Sequence, residues 1–198
     1  MGLKKLRRDT PDLLKASYLP QKQAEELLKH KGYTYDKQLS TNQSKVFVSK
    51  GNRPVILQRG STRLTDWLED GLIAVGAGNI APRQRQAVRL AKAVEQKYHS
   101  PADAVGHSLG GRLVENSGVK GNIITYNKAS GLGDIGKVIP HNQLDIRSHI
   151  DVPSLLSLTQ LRHNGIEHVK QKNNTFRPFL QVYNAHNLDN LFPYSSST

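Results

Sequence analysis

Along this chain apolar residues recur at two spacings, and the switching between them predicts the order of elements. From Pro20 onward Ala24, Leu27 and Leu28 share one helical face, and Gly32 ends the run after a Lys-His-Lys stretch suited to the negative end of a helix dipole. Residues 1–18 read as a basic, partly helical arm. Val46-Phe-Val48 predicts a short strand, Gly51-Asn52 a turn, and Val55-Ile-Leu57 a second strand, buried because it is continuously apolar. Pro82 at a first helical position opens the clearest helix. There Ala87, Ala91, Val94 and Tyr98 line up one apolar stripe, and Arg83, Arg85, Arg89 and Lys92 decorate the rest. A strand from Ala102 to Val105, a tight glycine-rich turn, a short helix from Leu109 to Asn116 and a strand from Ile123 to Tyr126 follow. This is the rhythm of right-handed βαβ crossovers on a mostly parallel sheet, so an α/β fold is expected. Beyond Gly136 the pattern thins: Leu144 to Ile146 reads as one more strand, Pro153 to Leu161 as a helix or loop, and Val182-Tyr183 precedes a turn-rich end.

With 198 residues, of which 36% are hydrophobic, the chain suits one medium-sized core. The expected organisation is a basic amino-terminal arm with helices over 1–45 and one domain over 46–198. There is no cysteine, which removes disulfides, thiolate nucleophiles and cysteine-ligated metals from consideration. No apolar run reaches the length of a spanning helix, and no signal peptide opens the chain, so a cytoplasmic or virion-associated protein is expected. The net charge of +12 changes the picture more. Eleven basic residues face five acidic ones within the first 50, so the excess gathers toward the amino end. Such a field attracts polyanions, either nucleic acid or an anionic membrane surface. Specific nucleic-acid binding is not expected: aromatic content is only 6%, and neither a helix-turn-helix nor a zinc-ligand spacing is present.

The informative passage for chemistry is Val105-Gly-His-Ser-Leu-Gly-Gly111. Its G-x-S-x-G core lies where a strand should end and a helix begin, the context a nucleophile elbow requires. Ser108 would be presented in a sharp turn above the sheet edge, with glycines at 106 and 110 allowing the close approach. The pattern by itself also fits an ordinary glycine-rich βα turn. A serine nucleophile needs a base, and the base an orienting acid; with an elbow the chain order is Ser, acid, His. Of the five later histidines, His186 sits in a turn-like loop near the carboxyl end, after an apolar stretch that can deliver it as a strand would. Asp151, after Ile146–Ile150 and braced by Val152-Pro153, is the preferred acid, and Asp145 stands as the alternative. The oxyanion needs two donors: the backbone N–H of Leu109 is one, and Ser61, where Val55–Arg59 runs into Gly60-Ser61-Thr62, is placed to give the other.

Together these segments resemble the class 3 (fungal-type) triacylglycerol lipase family of α/β-hydrolases. The resemblance rests on Gly106-His-Ser-Leu-Gly-Gly111, on Arg59-Gly-Ser-Thr-Arg-Leu-Thr-Asp-Trp67 with Asp70 following, on Asp151-Val-Pro153 and on the late His186, and it spans about residues 46–190. It departs at Asn127-Lys-Ala-Ser-Gly131, where the family carries a Gly-x-Pro sequence. The resemblance implies a compact α/β-hydrolase fold with a mostly parallel central sheet flanked by helices, a lipid ester as substrate, and no metal or organic cofactor. In that family the residue after Arg-Gly is the second oxyanion donor, which maps to Ser61. The following region forms a lid with its tryptophan at the interface; here Trp67, Leu72, Ile73 and Val75 occupy that stretch, which reads equally as a buried strand or helix. A compact, highly basic chain of this kind is also similar to lipase-like proteins of some large DNA viruses.

Overall fold

The computed structural model describes residues 2–60, 80–129, 138–139, 141–148 and 166–169. Among them the chain forms helices α1 (Leu3–Tyr18), α2 (Gln21–Lys29), α3 (Ile80–Tyr98) and α4 (Leu109–Glu115). The strands are β1 (Tyr33–Tyr35), β2 (Ser44–Ser49), β3 (Pro54–Gln58), β4 (Asp103–His107), β5 (Ile123–Tyr126), β6 (Gln143–Ser148) and β7 (Ile166–Val169). The seven strands lie side by side in chain order. β1, β2 and β3 pair antiparallel, and each step from β3 to β7 is parallel. The expected mostly parallel α/β architecture is therefore the observed one.

Side-chain alternation along the central strands divides the core into two layers. On one face Val55, Leu57, Val105, Ile124, Tyr126 and Ile146 meet Leu6, Leu13, Leu14 and Ala16 of α1 and Ala24 and Leu28 of α2. On the other, Ile56, Ala104 and Ile123 meet Ala91 and Val94 of α3 and Val114 of α4. Strands covered on both faces must be apolar on both, which is why β3 reads as an unbroken apolar run. α3 buries the stripe read from its sequence and leaves Arg85, Arg89 and Lys92 exposed.

The opening residues are more ordered than a basic arm. α1 is one 16-residue helix, and Leu6, Leu13, Leu14 and Ala16 are fully buried on the sheet while Lys4, Arg8 and Lys15 face solvent. Pro11, inside this helix, interrupts the pattern that would have announced it. β1 and β7, of three and four residues, were not anticipated. The readings over 153–161 and 182–183 lie outside the described residues. No helix among the described residues is long and apolar enough to cross a membrane.

Candidate active site

The parallel strands β3, β4 and β5 run the same way, so their carboxyl ends open on one edge of the sheet. β4 ends at His107 and α4 starts at Leu109, which leaves Ser108 alone to make the turn. Its backbone is at φ 54°, ψ −124°, a region that residues with a Cβ rarely enter. Holding a non-glycine residue there costs on the order of 1–3 kcal/mol, so the surroundings must impose it. They do so by backbone hydrogen bonds. The Ser108 N–H donates to Tyr126 O at 3.0 Å, and the Ser108 carbonyl accepts from Gly111 N–H at 2.9 Å and Ala129 N–H at 3.1 Å. The serine is 3% exposed at the head of the sheet.

The flanking glycines are dictated by packing. A Cβ on Gly106 would run into the Gly110 carbonyl and lie 2.7 Å from Gly111 N; one on Gly110 would run into the Gln58 carbonyl at the end of β3. The sharp corner thus presses α4 onto both β3 and β4, at a closeness that only these two hydrogens allow. Leu109 and Gly110 open α4, so their N–H groups have no intrahelical acceptor. The strand, turn and helix expected around Ser108, and the position of Leu109, are all observed. Ser61, Asp151, His186, Trp67, Leu72, Ile73 and Val75 lie outside the described residues.

Asp145, the alternative acid, is described. It lies in β6 on the face that carries α4, fully buried. Oδ1 accepts from Thr125 Oγ1 at 2.7 Å and Gln143 Nε2 at 2.7 Å, and Oδ2 from Lys128 Nζ at 3.0 Å and Arg147 at 3.1 Å. Burial works to raise this carboxyl. The Lys128 charge and the hydrogen bonds from Thr125, Gln143 and Lys128 outweigh it and hold the group below the usual carboxylate range. Four donors occupy the four lone-pair directions of a carboxylate, so none remains for an imidazole N–H. Asp145 is a structural anion. Through Lys128, whose ammonium also meets Glu115 Oε1 at 3.0 Å, it ties β6 to α4 and to the segment that hydrogen-bonds Ser108.

Two further features were not read from the sequence. Asn127, first residue of the segment that departs from the resembled family's Gly-x-Pro, has φ 42°. This is the left-handed region, which among residues with a Cβ asparagine tolerates best. On the α1 face, the Tyr18 hydroxyl lies 2.7 Å from His107 Nδ1 and accepts the Gly60 N–H at 2.9 Å. His107 also stacks on Tyr126, centroids 5.6 Å apart. Forty-two residues separate Tyr18 from Gly60 and 89 separate it from His107, so no local motif announces the contact. Among the described residues no cluster of side chains is suited to hold a metal ion.

No family model and no curated protein matches this chain by sequence. Solved structures do match it by shape. The Lip2 lipase of Yarrowia lipolytica superimposes with a TM-score of 0.53 at 11% identity, over 98% of this chain and 90% of that one. A variant form of MDLA from Penicillium cyclopium does so with 0.51 at 14% identity, over 89% of this chain and 83% of that one. At these identities the likeness speaks for architecture alone: the chain has an α/β-hydrolase-like sheet, with Ser108 at the corner between β4 and α4.

Proposed function

We propose that this chain is a serine hydrolase of carboxylic esters, with lipid esters as its substrates. The observation that carries the reading is the backbone of Ser108. A buried serine is held at φ 54° between strand and helix, with the glycines at 106 and 110 required by contact, and this is the backbone that presents a nucleophile at a strand–helix corner. In this reading His186 takes the Ser108 proton as the oxygen attacks the ester carbonyl, and Asp151 orients the imidazole and stabilises its charged form. The tetrahedral oxyanion is held by the Leu109 N–H and by Ser61. His186 then returns the proton to the leaving alcohol, and a water molecule repeats the sequence on the acyl-enzyme. Triacylglycerol and phospholipid both fit this chemistry. The apolar stretch 71–78 with Trp67 serves as the interfacial segment, and the +12 charge favours anionic membrane surfaces as the place of work.

A p-nitrophenyl ester series from acetate to palmitate tests the reading, run on the wild type and on Ser108→Ala. The wild type hydrolyses at least one ester and is labelled by a fluorophosphonate; Ser108→Ala does neither. A wild type that stays unlabelled and inactive would favour the second reading, a catalytically silent hydrolase-fold protein that docks on anionic membranes, for which the charge is the supporting observation. The surface preference is separable from catalysis. Turnover on anionic vesicles should exceed that on neutral ones at low salt and converge with it as salt rises; equal rates at low salt would remove the electrostatic part.

A further inference from the structure

The Tyr18 hydroxyl sits where two segments of the site meet. A phenol has one proton and two acceptor directions. Gly60 N–H donates to the oxygen, and His107 Nδ1 is the acceptor in reach of the phenol proton. In the tautomer that carries its proton on Nε2, His107 accepts the phenol proton at Nδ1. The ring is fixed from its other side by stacking on Tyr126 at 26° between planes. His107 directly precedes Ser108, and Gly60 is where the chain leaves β3. One hydroxyl thus joins the nucleophile's corner to the neighbouring strand–loop junction.

Gly60 is shaped for this junction. A Cβ there would lie 2.9 Å from the Tyr18 hydroxyl, 3.0 Å from the His107 carbonyl oxygen and 3.1 Å from Ser108 Cβ. The first and last of these distances show Tyr18 and Ser108 crowding the same small space. Arg83 steadies the approach by donating to the Arg59 carbonyl at 2.9 Å. Burial pushes the phenol up to about 12, against the Gly60 N–H and the charges of Arg59 and Arg83, so it remains a donor at neutral pH.

We propose that Tyr18, the last residue of α1, is a positioning residue of the acyl-transfer site, holding the junction at Gly60 in register with Ser108 through the His107 ring. The inference rests on the serine-hydrolase reading. It gives α1 a part in catalysis beyond covering the core: the spacing between the nucleophile's corner and the junction at Gly60 depends on a hydroxyl from the amino-terminal helix.

Three variants test it: Tyr18→Phe, His107→Phe, which keeps a ring on Tyr126 and removes Nδ1, and the double variant. With Ser108→Ala inactive, Tyr18→Phe should lower kcat, and the rate of fluorophosphonate labelling, by roughly 10- to 100-fold, with KM within about twofold. The double variant should be about as slow as the slower single one, because both remove the same link. In imidazole ¹⁵N spectra the His107 Nδ1 resonance should move in Tyr18→Phe. Wild-type kcat in a folded Tyr18→Phe, or losses that simply multiply in the double variant, would overturn the inference and leave the hydrolase reading standing. A wild type as inactive as Ser108→Ala overturns both.

Discussion

Ser108 carries an energetic signature as well as a chemical one. Alanine at 108 keeps the Cβ that makes φ 54° costly, whereas glycine does not. Of the two inactive variants, Ser108→Gly should therefore be the more stable by about 1 kcal/mol, a difference of about 2–4 °C in melting temperature for a chain of this size. Equal melting temperatures would show that the corner is relaxed. At Gly110 the sign reverses: a methyl group there meets the Gln58 carbonyl, which is backbone within the sheet and cannot yield cheaply. Gly110→Ala should lose about 3 kcal/mol or more in a denaturant titration. These residues were legible because the steric need and the motif are the same thing: a serine between two obligatory glycines is visible as letters. Asn127 is legible only as a departure from the resembled family's pattern, and its φ of 42° lies in the left-handed region that asparagine tolerates.

Elements that bury polar groups are harder to read. β3 presents an apolar run, Val55-Ile-Leu57, that reads as a strand, and β5 reads as one through Ile123, Ile124 and Tyr126 although Thr125 interrupts it. In β6 the inward positions include Gln143, Asp145 and Arg147, all buried, so only its Leu144–Ile146 centre looked like a strand. Their partners come from Glu115, Thr125 and Lys128, three separate places in the chain, and nothing in the order of residues announces that the charges will meet. The buried cluster makes its own prediction. Asp145→Asn removes the anion between Lys128 and Arg147, leaving Glu115 as the carboxylate beside Lys128, and should cost about 3–5 kcal/mol at neutral pH. Because the folded carboxyl titrates below its unfolded value of about 4, the stability it contributes is present above that pH and is lost as pH falls through the folded value. The gap in melting temperature between wild type and Asp145→Asn should therefore narrow as pH drops below about 4, and a gap that stays constant would mean the carboxyl is not ionised in the folded protein.

At the scale of the whole molecule the sheet has two faces to cover, and α1 covers much of one of them. The sequence concealed this, since basic residues and Pro11 mask the stripe of Leu6, Leu13 and Leu14, and a basic opening resembles a detachable arm. Covering is an obligation for a parallel sheet, because an uncovered face would leave Val55, Leu57, Val105 and Ile124 against water. Removing residues 1–19 should thus abolish the cooperative thermal transition rather than yield a smaller stable domain. The point variant Leu13→Ala separates packing from the loss of Tyr18: it deletes buried contacts only, and should lower stability by about 2–5 kcal/mol. Its labelling rate by a fluorophosphonate below the transition should stay near that of the wild type, since α1 still delivers Tyr18 to Gly60 and His107. A truncated chain that melts cooperatively at the wild-type temperature would show that α1 is an appendage after all, and the packing account of this face would have to be abandoned.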